Sequence, residues 1–117
     1  MKNRSFGQRL GFALSGLVVA FRSENSFRTH VLAVAGVFGV LIWRQPDPLW
    51  WAIAIVTMIV VLATELINTS MEHFADHLHP AHHPSIKIVK DCAAAAVLIT
   101  SLGAVGVAVA FVWDQWR

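Results

Sequence analysis

Hydrophobic residues fall in long runs along this chain, and the polar residues between the runs are clustered. About 20 apolar residues form a helix that crosses a hydrocarbon core about 30 Å thick. The pattern therefore predicts an all-α integral membrane fold, with an interfacial helix over 4–22 and transmembrane helices over 27–44, 48–76 and 85–113. The predicted helix 48–76 continues past its apolar run into a polar extension.

The first predicted helix has a polar face on an otherwise apolar cylinder. At about 100° per residue, its polar positions lie within an arc of about 40°. These positions are Arg4, Gln8, Ser15 and Arg22. The arrangement is typical of a helix that lies in the membrane surface, although a plain membrane anchor would show the same periodicity.

Capping residues and prolines separate the predicted helices. Residues 23–26 (SENS) form a polar elbow, where Glu24 could serve only as a helix cap. Asp47 precedes Pro48, and proline is favoured at the first position of a helix. Pro80 and Pro84 predict that the long second span ends before a loop and that the third begins beyond it.

The second predicted span ends in a polar stripe. Its members are Glu65, Asn68, Glu72 and Asp76, which we call the acidic stripe. On a helix these four positions fall within an arc of about 80°. Three carboxylates therefore lie along one face, at the place where an apolar run meets water.

Carboxylates beside hydrocarbon are costly, roughly 2.5–3.5 kcal/mol each on insertion scales, and need a partner. Oxygen ligands suit Mg²⁺, which usually shares its coordination between one or two carboxylates, water and substrate phosphates. The acidic stripe therefore favours phosphoryl chemistry at a membrane surface. The alternative is a polar face that packs against neighbouring helices.

Composition supports a single membrane domain. Of the 117 residues, 56% are hydrophobic and 14% are charged, against about 25% charged in soluble domains. Five of the nine basic residues precede the first long apolar run, which predicts a cytoplasmic N-terminus and an external C-terminus in a bacterial cytoplasmic membrane. So few charges make nucleic acid a poor partner, and the single cysteine, Cys92, excludes an intrachain disulfide.

A second kind of site is also conceivable in the polar extension. Glu72, His73, Asp76 and His77 place two histidines at i and i+4 beside two acids. This spacing could hold a transition metal, which gives the alternative of a divalent-metal transporter or sensor. A purely structural membrane subunit is a further alternative, in which Lys90 would be only a snorkelling anchor.

Three segments together carry a family resemblance. They are 24–28 (ENSFR), 65–76 (ELINTSMEHFAD) and 90–98 (KDCAAAAVL). At these separations they resemble the prokaryotic diacylglycerol kinase family of small membrane lipid kinases, which includes the undecaprenol kinases. The resemblance covers nearly the whole chain. It implies a homotrimer with active sites shared between adjacent chains, using ATP as co-substrate at the cytoplasmic surface.

The resemblance also implies roles for individual residues. Glu65 would be the general base for the lipid hydroxyl, and Asn68 would help to position it. Glu24 and Glu72 would hold Mg²⁺. Nucleotide contacts are implied for a larger set: Glu24, Glu72, Asp76, His82, His83, Lys90 and Asp91.

Arg28 and His30 would lie with Glu65 at the lipid substrate. His30 stands where the diacylglycerol-specific branch has an acidic residue, and here the chain is more similar to the undecaprenol kinase branch. The lipid alcohol is accordingly either diacylglycerol or undecaprenol.

Overall fold

The computed structural model describes residues 3–78 and 83–117. This part of the chain is helical and forms four helices. They are α1 (Phe6–Ser23), α2 (Asn25–Arg44), α3 (Pro48–Leu78) and α4 (Pro84–Trp116). The last three are long and apolar enough to cross a membrane. Their order and character agree with the all-α membrane fold that the sequence predicts.

Helix α1 begins with a capping box. The Ser5 hydroxyl accepts a hydrogen bond from the backbone N–H of Gln8, and the Gln8 side chain accepts one from the backbone N–H of Ser5. This reciprocal pair makes Ser5 the cap, so that α1 begins at Phe6 and not at residue 4. Only Ala20 of α1 is buried. The helix rests on α2 and α3 with most of its surface free.

The end of α2 and the start of α3 match the predicted bounds, and the remaining helix ends differ slightly from them. Helix α2 begins at Asn25, two residues before the predicted start, and ends before Gln45, whose φ of 48° is left-handed. Helix α3 runs to Leu78 and α4 reaches Trp116, both beyond the predicted ends. Contacts to α2 and α3 hold the last turn of α4, which hydropathy alone could not reveal.

Helix α3 is the central element of the bundle, packed most extensively on α4 and also on α2. Leu41, Ala54 and Met58 form the buried core between α2 and α3. Phe38, Trp51 and Phe111 are among the partly buried side chains around it. This core lies in the half of the bundle farther from the acidic stripe.

A polar and aromatic cluster closes the same half, and we call it the aromatic end. Its members are Trp43, Arg44, Trp50, Phe111, Asp114, Gln115 and Trp116. The Trp50 indole N–H donates to Asp114 over 2.8 Å, and Arg44 donates to the Gln115 carbonyl over 3.0 Å. The Arg44 guanidinium also stacks 4.3 Å from the Trp116 ring centre. These contacts join α2 and α3 to the end of α4.

Much of the apolar surface of the spans faces outward. Leu32, Ile59, Leu98, Ile99 and Val109 are each about 60–70% exposed. Exposing such apolar faces to water would be unfavourable, whereas in a bilayer lipid tails or another helix cover them at little cost in free energy. The exposed surface therefore fits a membrane protein.

Candidate active site

The acidic stripe lies on one face of α3 and its exposure rises along the helix. Glu65 is 2% exposed, Asn68 and Glu72 are half-buried, and Asp76 is exposed. Glu65 is the deepest member because it comes directly after the apolar part of α3. The stripe thus runs from the apolar interior toward water over about three turns.

Glu65 meets a side chain of α2. Its Oε1 lies 2.8 Å from Nδ1 of His30, whose side chain is 26% exposed. His30 Nδ1 has no hydrogen-bond partner among the described residues, so the contact is close without being an aligned hydrogen bond. His30 and Glu65, for which the family resemblance implies a place at the lipid, are thus brought together from two helices.

Asn68 and Glu72 form the middle of the stripe. The Asn68 amide nitrogen donates to Oε1 of Glu72 over 3.4 Å, one turn along the helix. The Asn68 Oδ1 is buried and has no hydrogen-bond partner in the described residues. Because a buried polar atom without a partner is costly, this oxygen has unused capacity to bind a ligand.

Glu24 lies in the elbow between α1 and α2. Its backbone N–H donates to the Ala20 carbonyl over 2.9 Å, and its own carbonyl accepts from Arg28 over 3.2 Å. Its carboxylate caps neither helix and forms no hydrogen bond or ion pair within residues 3–78 and 83–117. The backbone of Glu24 therefore makes the elbow, while its half-buried carboxylate remains available.

Arg28 has a structural task that the sequence did not indicate. Its Nη1 donates to the carbonyls of Phe21 and Arg22 over 3.0 and 2.9 Å, and its Nη2 donates to the Asn25 side chain. These bonds satisfy carbonyls at the end of α1, where a helix leaves its last acceptors unpaired. Arg28 thus fixes the elbow that carries Glu24. Its expected contact with the lipid stays a prediction.

Lys90 joins the outer end of the stripe to α4. Its Nζ lies 2.5 Å from Oδ1 of Asp76, so the contact joins α3 to α4. Asp91 instead pairs with Lys87 at 2.5 Å. Lys90 and Asp91 thus have different partners, because neighbouring side chains on a helix point in different directions while i and i+4 lie side by side.

His83 caps α4. Its Nδ1 accepts a hydrogen bond from the backbone N–H of Ser85 over 3.1 Å, and Pro84 occupies the first helical position. His83 therefore stands at the start of the helix that carries Lys90. His82, which the resemblance places at the nucleotide, lies outside the described residues.

The proposed transition-metal cluster does not form. Within the described residues, no three His, Cys, Asp or Glu side chains gather closely enough to hold a metal ion. Asp76, one of its four members, is turned toward Lys90. The alternative built on Glu72, His73, Asp76 and His77 therefore has no geometric support.

Besides the contacts of Arg28 and Lys90, two further contacts of the site were missed at the level of sequence. Lys87 lies one helical turn before Asp91, and this i, i+4 spacing could have predicted their pairing. The contact between His30 and Glu65 joins distant parts of the chain, so local spacing could not predict it. One feature of the sequence does mark His30 as unusual, because it is the only polar side chain between Thr29 and Trp43.

Comparison with known proteins gives a single family. The model of the prokaryotic diacylglycerol kinase family matches residues 11–112. A Synechocystis diacylglycerol kinase is 32% identical over 80% of this chain, which spans about half (54%) of that relative's length.

Two further relatives match over more of their own length. A Bacillus subtilis undecaprenol kinase is 33% identical over 72% of this chain and 68% of its own. An Escherichia coli diacylglycerol kinase is 26% identical over 91% of this chain and 87% of its own. The family match includes both the elbow and the acidic stripe, and it confirms the resemblance seen in the sequence. The chain therefore belongs to the prokaryotic diacylglycerol kinase family.

Proposed function

We propose that this protein is a membrane lipid kinase, which transfers the γ-phosphate of MgATP to the hydroxyl of a membrane lipid alcohol. The observation that carries the proposal is the buried Glu65 carboxylate, placed where the apolar part of α3 ends and followed by further oxygen ligands toward water. A membrane alcohol and a water-soluble nucleotide must meet at such a boundary. The names of the relatives, diacylglycerol kinase and undecaprenol kinase, describe the same class of reaction.

Glu65 is the general base in this proposal. The lipid oxygen forms a bond to the γ-phosphorus while the bond from that phosphorus to the β-γ bridging oxygen breaks, and Glu65 accepts the hydroxyl proton. Asn68 lies one turn farther along α3 and helps to orient the reacting groups. Most of the remaining acceleration comes from holding the hydroxyl in line with the phosphate.

Glu24 and Glu72 would hold Mg²⁺. The donor set fits this ion, because the available groups are the unpaired Glu24 carboxylate, the Glu72 carboxylate and the unpartnered Oδ1 of Asn68. All are hard oxygen ligands, which Mg²⁺ prefers. When bound, the ion neutralises charge on the β- and γ-phosphates.

The nucleotide would lie over the exposed part of the stripe. Asp76 and Lys90 form an accessible ion pair there, with Asp91 one position farther along α4. A lysine in this position can neutralise phosphate charge. His83 at the start of α4, together with His82, would lie near the base and sugar.

The lipid is either diacylglycerol or undecaprenol. An open groove of about 570 Å³ lies between α1 and α3, beside the stripe. Its lining is largely apolar and includes Ala13, Gly16, Leu17, Leu66 and Thr69. Such a lining suits a hydrocarbon chain, whether acyl or isoprenoid, and so it does not discriminate between the two substrates.

We further propose a homotrimer in the bacterial cytoplasmic membrane, with active sites shared between adjacent chains. Helix α4 buries none of its residues in the single chain, so its apolar face is free to pack on another copy. The N-terminus would be cytoplasmic, since five of the nine basic residues precede the long apolar part of α2. The site then faces ATP.

The test is phosphate transfer by the purified protein in detergent micelles. ATP labelled at the γ-phosphate is supplied with Mg²⁺ and with diacylglycerol or undecaprenol in separate reactions. We expect label in the phosphorylated form of at least one lipid. Absence of label in both lipids, from protein that is folded in the micelles, would reject the proposed function.

A further inference from the structure

The Glu65 carboxylate is enclosed, and one polar group of another helix reaches it. The Glu65 side chain is 3% exposed, and Nδ1 of His30 is 2.8 Å from its Oε1. No other ion pair or hydrogen bond of this carboxylate occurs in the described part of the chain. A buried carboxylate without a partner is strongly disfavoured. His30 is thus the one polar side chain in the described residues that contacts this buried carboxylate.

The contact divides the two oxygens of Glu65 between two tasks. Oε1 faces Nδ1 of His30, which leaves Oε2 to accept a proton from a substrate hydroxyl. Without His30 the carboxylate would turn toward another donor, and it would no longer face the substrate hydroxyl as a base. Hydrogen bonds around a general base are often poorly aligned before the substrate binds and tighten in the complex.

We propose that His30 is a positioning residue, which acts through its Nδ1 to hold the Glu65 carboxylate in its orientation. This role differs from a direct contact between His30 and the lipid. The inference rests on the proposed function, in which Glu65 is the base. The rate of phosphate transfer then depends on a contact between α2 and α3.

Three substitutions of His30 separate the two roles. Asn places its amide nitrogen where Nδ1 of histidine lies, Gln places it near Nε2, and Leu offers neither. If His30 acts through Nδ1, His30→Asn should keep kcat within a few-fold of the parent. His30→Gln and His30→Leu should each lose about tenfold or more in kcat, with little change in the KM for ATP.

A double substitution tests whether His30 acts through Glu65. In the Glu65→Gln background, His30→Leu should cause no further loss of kcat, because the carboxylate that it serves is absent. Leu32→Ala is the matched control on α2, since Leu32 is 71% exposed and faces away from the bundle. Its kcat should match the parent. Thermal unfolding and elution volume in micelles show that each variant is folded.

The outcomes distinguish this inference from the function on which it rests. Lack of transfer by the parent protein would reject the lipid kinase itself. If the parent and His30→Leu turn over equally, or if Gln restores kcat and Asn does not, the positioning role is wrong while the kinase stands. An active Glu65→Gln would reject Glu65 as the base and the role of His30 with it.

Discussion

The two ends of the bundle contain similar residue types but use them differently. At the aromatic end, Asp114 accepts from Trp50, and Arg44 bonds to a carbonyl of α4 and stacks on Trp116. At the stripe end, the Glu24 carboxylate has no partner among the described residues, and Oδ1 of Asn68 is buried without one. Among the described residues the aromatic end leaves a donor, Arg44 Nε, buried without a partner, whereas the stripe end leaves acceptor oxygens without one. Unused acceptor oxygens, not charge as such, distinguish the stripe end.

The greatest contrast expected between the two ends concerns the side of the membrane that each faces. In a Cys92→Ser background, an impermeant maleimide added to intact cells should label Arg117→Cys and should not label Ser85→Cys. Both positions are exposed, so access depends on topology.

Permeabilised cells provide the control, because both thiols should then react. The reverse pattern in intact cells would place the stripe end away from ATP.

Removing the proposed base should have the largest effect on catalysis. Glu65→Gln keeps the shape of the side chain but cannot accept the proton, so turnover should fall at least about a hundredfold. The apparent affinity for ATP should change little, since Glu65 lies about two turns from Glu72. Steady-state assays at varied ATP measure both quantities. Turnover within a few-fold of the parent would require a different base.

A smaller effect is expected from the carboxylates that would hold Mg²⁺. Glu24→Gln and Glu72→Gln should each raise the Mg²⁺ concentration for half-maximal activity by about tenfold or more, because each replaces a charged oxygen ligand by an amide. Titration of activity with Mg²⁺ measures the shift. Asp47→Asn, an exposed carboxylate at the other end, is the control and should leave the titration unchanged. Parent-like curves for both glutamine variants would remove these residues from the metal site.

The smallest effect should come from the aromatic end. Trp50→Phe keeps an aromatic ring against Phe111 but loses the hydrogen bond to Asp114. A hydrogen bond to a charged acceptor contributes about 1.5–3 kcal/mol, so the free energy of unfolding should fall by roughly this amount. Unfolding by denaturant in mixed micelles measures this loss. Turnover below the unfolding range should stay within about twofold, and a large loss of turnover would show that the aromatic end also serves the reaction.

Much of the fold was predictable because the membrane simplifies the problem. Long apolar runs, prolines and capping residues locate the helices, and the 3.6-residue period groups the acidic stripe on one face. The exact ends of the helices were harder to predict from the sequence. The end of α4 depends on contacts from Arg44 and Trp50, and the start of α1 depends on the reciprocal bonds of Ser5 and Gln8.

The residues of the candidate site could be proposed from the sequence, but their pairings could not. The family resemblance and the period both indicate Glu65 and Glu72. Neither indicates that Asp76 binds Lys90, or that the Arg28 guanidinium caps α1. Such contacts depend on how two helices are rotated and shifted against each other, and a single sequence carries little information on that geometry.

Helix α3 is continuous, so the distances between its residues along the helix axis are fixed. After Pro48 the helix has neither proline nor glycine up to Leu78, and nothing in its sequence favours a hinge. At about 1.5 Å per residue, Glu65 and Asp76 are separated by about 16 Å along the axis. If Glu65 is the base, its position along this continuous helix sets the depth in the membrane at which a lipid hydroxyl must lie to react. Bilayer thickness would then influence which alcohols are phosphorylated, independently of the shape of any pocket.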